Sequence, residues 1–292
     1  MKPPPFDYHR PATVDEAVAL LDRHGPDTKV LAGGQSLLPM MKLRLARPTA
    51  LVDINRVREL AYVRAADDGL AFGALARLDE LESDEVRRRC PILADVARDI
   101  AHAAIRHRGT VCGSLAHADP AAELPVAALV LEADLVATGP RGSRVIPARE
   151  FFVTYLTTAL GAGEMLTEAR FPALAPGSGW SFLELARRPG DFAIVSAAAV
   201  LDVDRRGVIT SARIALGAVA ERAVRCPEAE AALTGEPGGR EAFEHAAALA
   251  AAPLDPPADV HGSAAYRKHI ARVLVGRALT QAWQRIGAPP GR

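Results

Sequence analysis

Cysteine is scarce in this chain of 292 residues: Cys90, Cys112 and Cys226 stand far apart, with no CxxC pair. Three thiols cannot supply the four ligands of an iron–sulfur cluster, and their spacing offers no disulfide framework. A net charge is missing too. Thirty-five Lys and Arg balance 35 Asp and Glu, so the electrostatic footprint of a dedicated nucleic-acid binder is absent. No uninterrupted apolar run is long enough to span a bilayer; Leu124 to Leu131 is short and then meets Glu132. The first five residues, Met1-Lys2-Pro3-Pro4-Pro5, have no apolar core of the signal-peptide kind. The expectation is a cytoplasmic protein with no transmembrane segment and no nucleic-acid partner. Several catalytic signatures are also missing. Without GxGxxG or GxxxxGK[ST] there is no Rossmann fingerprint and no P-loop. Without GxSxG, Ser36 has no motif-supported His partner, and hydrolysis is not expected.

What is present is ordinary for a globular protein: 49% hydrophobic and 24% charged residues. The length suits a substantial core and two domains. Thr13-Val14-Asp15-Glu16 reads as a capping box, with Val14, Ala17, Val18 and Leu21 following at helical spacing until Gly25-Pro26. Short apolar runs at 30–32, 51–54, 70–72, 135–138 and 165–171 read as strands. Residues 92–102 and 124–131 read as helices. Pro172 to Gly179 is the best linker, and a domain boundary is placed there. Beyond it, residues 180–185, 194–203 and 208–216 suggest an antiparallel meander, and helices are expected over 227–233, 241–251 and 264–283.

Two glycine-bearing stretches carry the chemistry. The first, Ala32-Gly33-Gly34-Gln35-Ser36, follows a strand and is continued by Leu37. Glycine admits backbone N–H groups close to a phosphate, and Ser36 adds a hydroxyl. A plain tight turn explains the same residues equally well. The second stretch runs from Thr110 through Gly113 and Ser114 to His117, Asp119 and Glu123. Its carboxylates suit ribose hydroxyls. They equally suit a helix start, with Asp119 as N-cap, Pro120 at the first position and Glu123 in the first turn.

Four ordered motifs resemble the flavin-binding medium subunit of molybdenum hydroxylases, the aerobic carbon-monoxide dehydrogenase branch above all. Ala32 to Arg44 resembles AGGxSLxPxMKxR, and Thr110 to Glu123 resembles TxGGNxAHADPAAD. Gly190-Asp191-Phe192-Ala193 after Arg187-Arg188 matches RRxGDFA, and His261 to Arg267 resembles HGSAxYR. The resemblance spans nearly the whole chain. It implies an α+β protein: a two-lobed, vanillyl-alcohol-oxidase-like FAD-binding domain over 1–175, with lobes of about 1–57 and 58–175. A smaller domain over 178–286 would add a three-stranded antiparallel sheet and a helical bundle. FAD is the implied cofactor. Ala32 to Leu37 would take the pyrophosphate. Thr110, Gly113 and Ser114 would form the second phosphate and ribose loop, joined by His117 and Asp119. Glu123 and Leu166 would contact the flavin. The implied partners are a molybdenum-cofactor large subunit and a [2Fe–2S] small subunit in a dimer of heterotrimers. Electrons would run through FAD to a quinone or NAD acceptor.

This sequence departs from the pattern at four places. Cys112 replaces a glycine and so adds a β-carbon; Ser114 replaces an asparagine; Glu123 replaces an aspartate; and Leu183 stands where xanthine dehydrogenase-type members have lysine. Two alternatives are a stand-alone two-loop flavin oxidase and a flavin-free assembly subunit. No side chain is assigned as catalytic. No metal site is expected from His102, His107 and His117. The basic run at 106–108 reads as a solvated face; Lys42, Arg44 and Arg47 read equally as a solvated face or, as the resemblance implies, as partly near a partner or a phosphate; and Tyr8 and Tyr155 receive no role.

Overall fold

The computed structural model describes residues 2–66 and 68–287; Met1, Asp67 and residues 288–292 lie outside the described residues. The chain begins with three parallel strands. β1 (Asp7–His9), β2 (Thr28–Leu31) and β3 (Ala50–Asp53) pair in the order β1-β3-β2. Parallel neighbours need crossovers, supplied by α1 (Val14–His24) and α2 (Leu37–Lys42). In α1, Ala17, Val18 and Leu21 are buried, as their spacing predicts. Thr13 Oγ1 accepts from the Glu16 N–H at 3.2 Å. The return half of the capping box shifts by one residue, because Glu16 Oε2 accepts from the Ala12 N–H. Gly25, at a φ of +76°, ends the helix.

The next unit is an antiparallel sheet with helices inserted in its middle. β4 (Val63–Ala66) and β5 (Gly69–Gly73) form a hairpin. There follow α3 (Asp84–Arg89), α4 (Pro91–Asp99), α5 (Ala103–Arg106), α6 (Val111–His117) and α7 (Glu123–Val130). β6 (Asp134–Gly139) and β7 (Gly142–Pro147) form a second hairpin. After α8 (Ala148–Phe151) and the small pair β8 (Phe152–Thr154) and β9 (Thr157–Thr158), β10 (Met165–Pro172) enters the centre of the sheet. The order is β4-β5-β10-β6-β7. Every residue of α7 is buried. A helix that is apolar all round has no face to offer water, so it lies inside the core.

The expected meander is β11 (Gly179–Ala186), β12 (Ala193–Val203) and β13 (Ile209–Gly217). The sheet differs from the three-stranded expectation by a fourth strand, β14 (Val224–Arg225), which pairs with β13. Two residues carry no readable period, which is why the pattern missed it. α9 (Pro227–Leu233), α10 (Arg240–Ala251) and α11 (Ala264–Gln284) complete the chain. Both faces of this sheet are covered. Ala198 and Val200 of β12 join Trp180, Phe182 and Ala215 in the core that continues into the first half. Val195, Ala197, Ala199 and Leu201 point the other way, into the core made with α9, α10 and α11. Coverage on both sides accounts for the unbroken apolar run of β12.

Candidate functional site

The first glycine stretch leaves the carboxyl end of β2, beside the carboxyl end of β3. Gly34 has a φ of +72°, a conformation costly for any residue with a β-carbon. Gly33 is constrained by space instead. A β-carbon there would lie 2.4 Å from the Arg108 carbonyl oxygen and 2.7 Å from Gly109 Cα. The two stretches, far apart in sequence, therefore touch backbone to backbone. Among the described residues, the N–H groups of Gly33, Gly34, Gln35 and Ser36 donate to no protein acceptor. Gln35 and Ser36 are exposed, and Ser36 makes no capping bond to α2. A loop of free donors without bulk suits the oxygens of a phosphate. Leu37 opens α2 and is half-buried.

The second stretch is built differently. Thr110 is buried, and its Oγ1 accepts from the Gly113 N–H at 3.0 Å, capping α6. A β-carbon at Gly113 would meet that oxygen at 2.5 Å. Thr110 and Gly113 thus spend their polar groups on each other and shape the loop from within. Ser114 and His117 are half-buried along α6. Ala118 closes the helix in the left-handed region, at a φ of +52°. Cys112 does not face the loop. It is buried, with Sγ 3.5 Å from the Phe72 carbonyl oxygen, so its extra atoms fill core rather than approach a ligand.

Asp119 is not the N-cap that the Asp-Pro pair suggested. Its Oδ1 accepts from the Ala121 N–H at 2.9 Å, an Asx turn, and α7 starts later with Ala122 as N-cap. The Asx turn uses the same carboxylate-to-amide bond but advances the chain before the helix can begin. Glu123 does fall in the first turn of α7 and is buried. Burial, with Asp99 and Asp119 adding repulsion, pushes its carboxyl up to about 7. Burial raises Glu184 further, to about 9, with Glu123 and Asp99 as neighbouring charges. Burial lowers the His117 imidazole, against the opposing pull of Asp119. Leu166 is buried on β10 next to a register shift before Glu168.

A polar bracket ties the two stretches together. Asn55 Nδ2 donates to the Ala32 carbonyl at 2.9 Å, and Arg77 Nη2 donates to Asn55 Oδ1 at 2.9 Å. Arg77 Nη1 donates to the Arg108 carbonyl at 2.6 Å. Asn55 is itself held by Asp53 Oδ1 at 2.7 Å, and the Tyr8 hydroxyl donates to Asp53 Oδ2. Burial alone would raise the Asp53 carboxyl. The bonds from Tyr8 and Asn55, with Arg10 nearby, outweigh it and hold Asp53 below the ordinary value. Sequence reasoning missed Tyr8, Asp53, Asn55 and Arg77 because they share no motif. The one available signal was position: Asp53 ends a parallel strand and Asn55 follows its carboxyl end, where ligands of such sheets gather.

The other two motifs meet on the far side. Gly190, in the hairpin between β11 and β12, has a φ of +75° and packs so that a β-carbon would lie 2.9 Å from the Ala101 carbonyl oxygen. Arg267 is buried on α11. It donates to the Ile194 carbonyl at 2.6 Å and pairs with Asp259 at 2.7 Å. A cleft of about 410 Å³ opens between these motifs and the second stretch, lined by Asp119, Tyr155, Arg187, Phe192 and His261 among others. In the basic run at 106–108, His107 and Arg108 are exposed and Arg106 is partly buried. Arg106 clasps the Ile100 and Ala101 carbonyls, each at 3.0 Å, and His107 pairs with Asp79 at 2.6 Å. The left-handed turn at Ala101 exposes carbonyls that a guanidinium can collect.

Residues 4–174 match the family described as FAD binding domain in molybdopterin dehydrogenase, and residues 180–282 match the CO dehydrogenase flavoprotein C-terminal domain. The chain belongs to this flavoprotein family. It is 44% identical to subunit alpha of the 6-hydroxypseudooxynicotine dehydrogenase complex of Paenarthrobacter nicotinovorans, over 98% of this chain and 97% of that one. It is 42% identical to the carbon monoxide dehydrogenase medium chain of Hydrogenophaga pseudoflava, over 98% and 99%. Among solved structures, the carbon monoxide dehydrogenase of Hydrogenophaga pseudoflava superposes with a TM-score of 0.95 at 44% identity, covering 98% of this chain and 100% of that one. Quinoline 2-oxidoreductase from Pseudomonas putida 86 does so with a TM-score of 0.92 at 39% identity, covering 98% and 100%. This flavoprotein is thus a FAD-binding oxidoreductase subunit, as the four motifs implied. Among its described residues no helix is long and apolar enough to cross a membrane.

Proposed function

We propose that this flavoprotein is the electron-transfer subunit of a carbon-monoxide-dehydrogenase-like molybdenum hydroxylase. In this reading it takes electrons from the [2Fe–2S] clusters of a small partner subunit and delivers them to a quinone or NAD acceptor. The observation that carries the reading is the joint between the two glycine stretches. Gly33 packs against the Arg108–Gly109 backbone, its stretch keeps N–H groups that donate to no acceptor among the described residues, and Asn55 and Arg77 hold the two stretches together.

FAD, when bound, supplies the conversion between one-electron donors and a two-electron acceptor. The chain's own residues bind and orient it. Gly33, Gly34, Gln35 and Ser36 present N–H donors to the pyrophosphate. Thr110 and Gly113 fix the start of α6, so that Ser114, His117 and Asp119 face the ribose side. Glu123, whose carboxyl burial raises to about 7, offers a hydrogen-bonding group to the flavin, and Leu166 offers an apolar contact. The division into 1–175 and 178–286 belongs to this reading and is supported by the spans of the two family matches.

The partners in this reading are a molybdenum-cofactor large subunit and the [2Fe–2S] small subunit, arranged as a dimer of heterotrimers in the cytoplasm. Support comes from full-length relatives named as a complex subunit and as medium chains. The test is anaerobic reduction of the assembled complex by its substrate. Bleaching of the flavin absorbance in step with the clusters is expected. Clusters that reduce while the flavin stays oxidised would overturn the route.

A further inference from the structure

At the amino-terminal edge of the first sheet, Asp7, His9 and His24 bring one ligand atom each to within 4.8 Å of the others. Two neutral imidazoles and a carboxylate are the donor set preferred by zinc and similar divalent transition ions. Two features point to an ion rather than a chance gathering. The rings of His9 and His24 lie with centroids 4.4 Å apart and planes tilted by 36°. With metal–nitrogen bonds of about 2.0–2.1 Å, two imidazoles on one tetrahedral ion set their centroids roughly 5.2 Å apart, so the rings would have to open by somewhat under an ångström to share it. In addition, His9 Nε2 is buried and, among the described residues, has no hydrogen-bond partner. A buried nitrogen left unpaired is costly, and such an atom in a native structure calls for an unseen partner.

Local structure explains why these three meet. In a strand, alternate side chains share a face, so Asp7 and His9 project together while Tyr8 projects oppositely. His24 occupies the last turn of α1, just before Gly25 ends the helix and returns the chain towards the same sheet. We propose that Asp7, His9 and His24 form a binding site for one divalent transition-metal ion of the zinc class, which fastens β1 to the carboxyl end of α1.

The site lies one residue from the bracket of the glycine loop. Among the described residues β1 is an edge strand paired with β3, with Tyr8 opposite Leu51. Tyr8 donates to Asp53, Asp53 holds Asn55, and Asn55 holds the Ala32 carbonyl. An ion gripping both neighbours of Tyr8 therefore stiffens the outer end of that chain of bonds. Three protein ligands leave a coordination position for water, which an exposed carboxylate such as Asp7 allows.

The experiment uses the full-length chain with its flavin, stripped of metal by chelator. Zn²⁺ is titrated by calorimetry and Co²⁺ by its visible d–d absorption, with melting temperature as a third readout. The expected result is one saturable site per chain and a higher melting temperature with Zn²⁺. In H24Q, whose residue is at a helix end, affinity should fall at least tenfold and the thermal shift should vanish. H9Q should behave alike and D7N should weaken binding less. H269Q, altering a histidine elsewhere on α11, should bind as wild type. Circular dichroism and flavin content establish that each variant is folded; if H9Q is not, H24Q alone decides. Absence of a saturable site in wild type, or wild-type affinity in folded H24Q, overturns the proposal.

Discussion

Arg77 and Asn55 meet at 2.9 Å, and between them they hold the Ala32 and Arg108 carbonyls, one from each glycine stretch. The joint between the two glycine stretches thus depends on two side chains that belong to neither.

Asn55→Ala removes the link to Ala32 and leaves Arg77 Nη2 without its acceptor, in a guanidinium whose pKa burial already lowers, with Arg108 adding to the effect. Losing one side of such a network costs about 1–3 kcal/mol. The melting temperature should drop accordingly, and FAD affinity should weaken by roughly tenfold, as about 1.4 kcal/mol corresponds to one decade. Arg77→Lys should produce a similar loss, because one ammonium cannot span two acceptors in a fixed fork. Equilibrium dialysis of FAD against both variants checks this; unchanged affinity in both would show that the bracket does not govern the loop.

The two glycines of the first stretch should respond differently. Gly33→Ala forces a β-carbon against backbone atoms of Arg108 and Gly109, which cannot yield without moving the second stretch. Gly34→Ala meets only the side chains of Leu38 and Leu31, at 3.0 Å and 3.1 Å, and adds a left-handed strain of about 1–2 kcal/mol. Flavin content after purification should therefore be lower for Gly33→Ala than for Gly34→Ala. Gly33→Trp or Gly34→Trp should leave the protein colourless. The reverse order for the alanines would mean that strain, not the joint, is decisive.

Cys112→Gly restores the residue of the resembled motif. Because Cys112 is buried inside α6, the change leaves a small cavity and places glycine in a helix, together about 1–2 kcal/mol of destabilisation. FAD affinity should stay within about twofold, well under the 1.4 kcal/mol that a decade requires. Tighter binding at unchanged melting temperature would place Cys112 at the ligand after all.

Stability should fall as pH rises above the ordinary carboxylate range. Glu184 has a folded pKa of about 9 and Glu123 of about 7, both raised, first by burial. Between the unfolded value near 4.3 and these folded values, the native state holds more protons than the unfolded chain. The slope is therefore negative: this contribution is fully present below the unfolded pKa and is lost as pH climbs through the folded one. Glu184→Gln, which keeps the shape without the charge, should be more stable than wild type at pH 8–9 by about 1–3 kcal/mol and nearly equal at pH 4–5. Melting curves across that range decide it. A difference independent of pH would show that the carboxyl stays ionised throughout.

Arg267→Met should cost about 2–4 kcal/mol, since the buried Ile194 and Ala218 carbonyls lose their donor and Asp259 loses its partner. The fourth motif then reads as a structural rivet at the start of β12. A melting temperature within one degree or so of wild type would refute that role, because ~1 kcal/mol already moves a protein of this size by about 2–4 °C.

Much of the fold was legible in sequence because it rests on local signals. Thr13 and Gly25 delimit α1, and the meander and the three last helices follow their periodicities. The four motifs carried the family and its cofactor. Where local signals tie, the sequence could not choose. Asp119-Pro120 offered a helix cap and became an Asx turn; the stretch after Ser36 read as a bare continuation and became α2. Two-residue strands such as β14 were invisible.

What the sequence determined alone is the cysteine count, the balanced charge, the helix caps and the motif residues themselves. Only the tertiary structure decided what those residues do to one another. Thr110 and Gly113 turned out to bond each other, Cys112 to face the core, and Gly33 to need its missing β-carbon because of Arg108. Asn55, Arg77 and the Asp7–His9–His24 group emerged only in three dimensions. The reason is physical. Periodicity and capping act over a few residues of one chain segment, whereas a phosphate loop, a buried carboxyl or a metal clip depends on which distant backbone arrives within hydrogen-bond range.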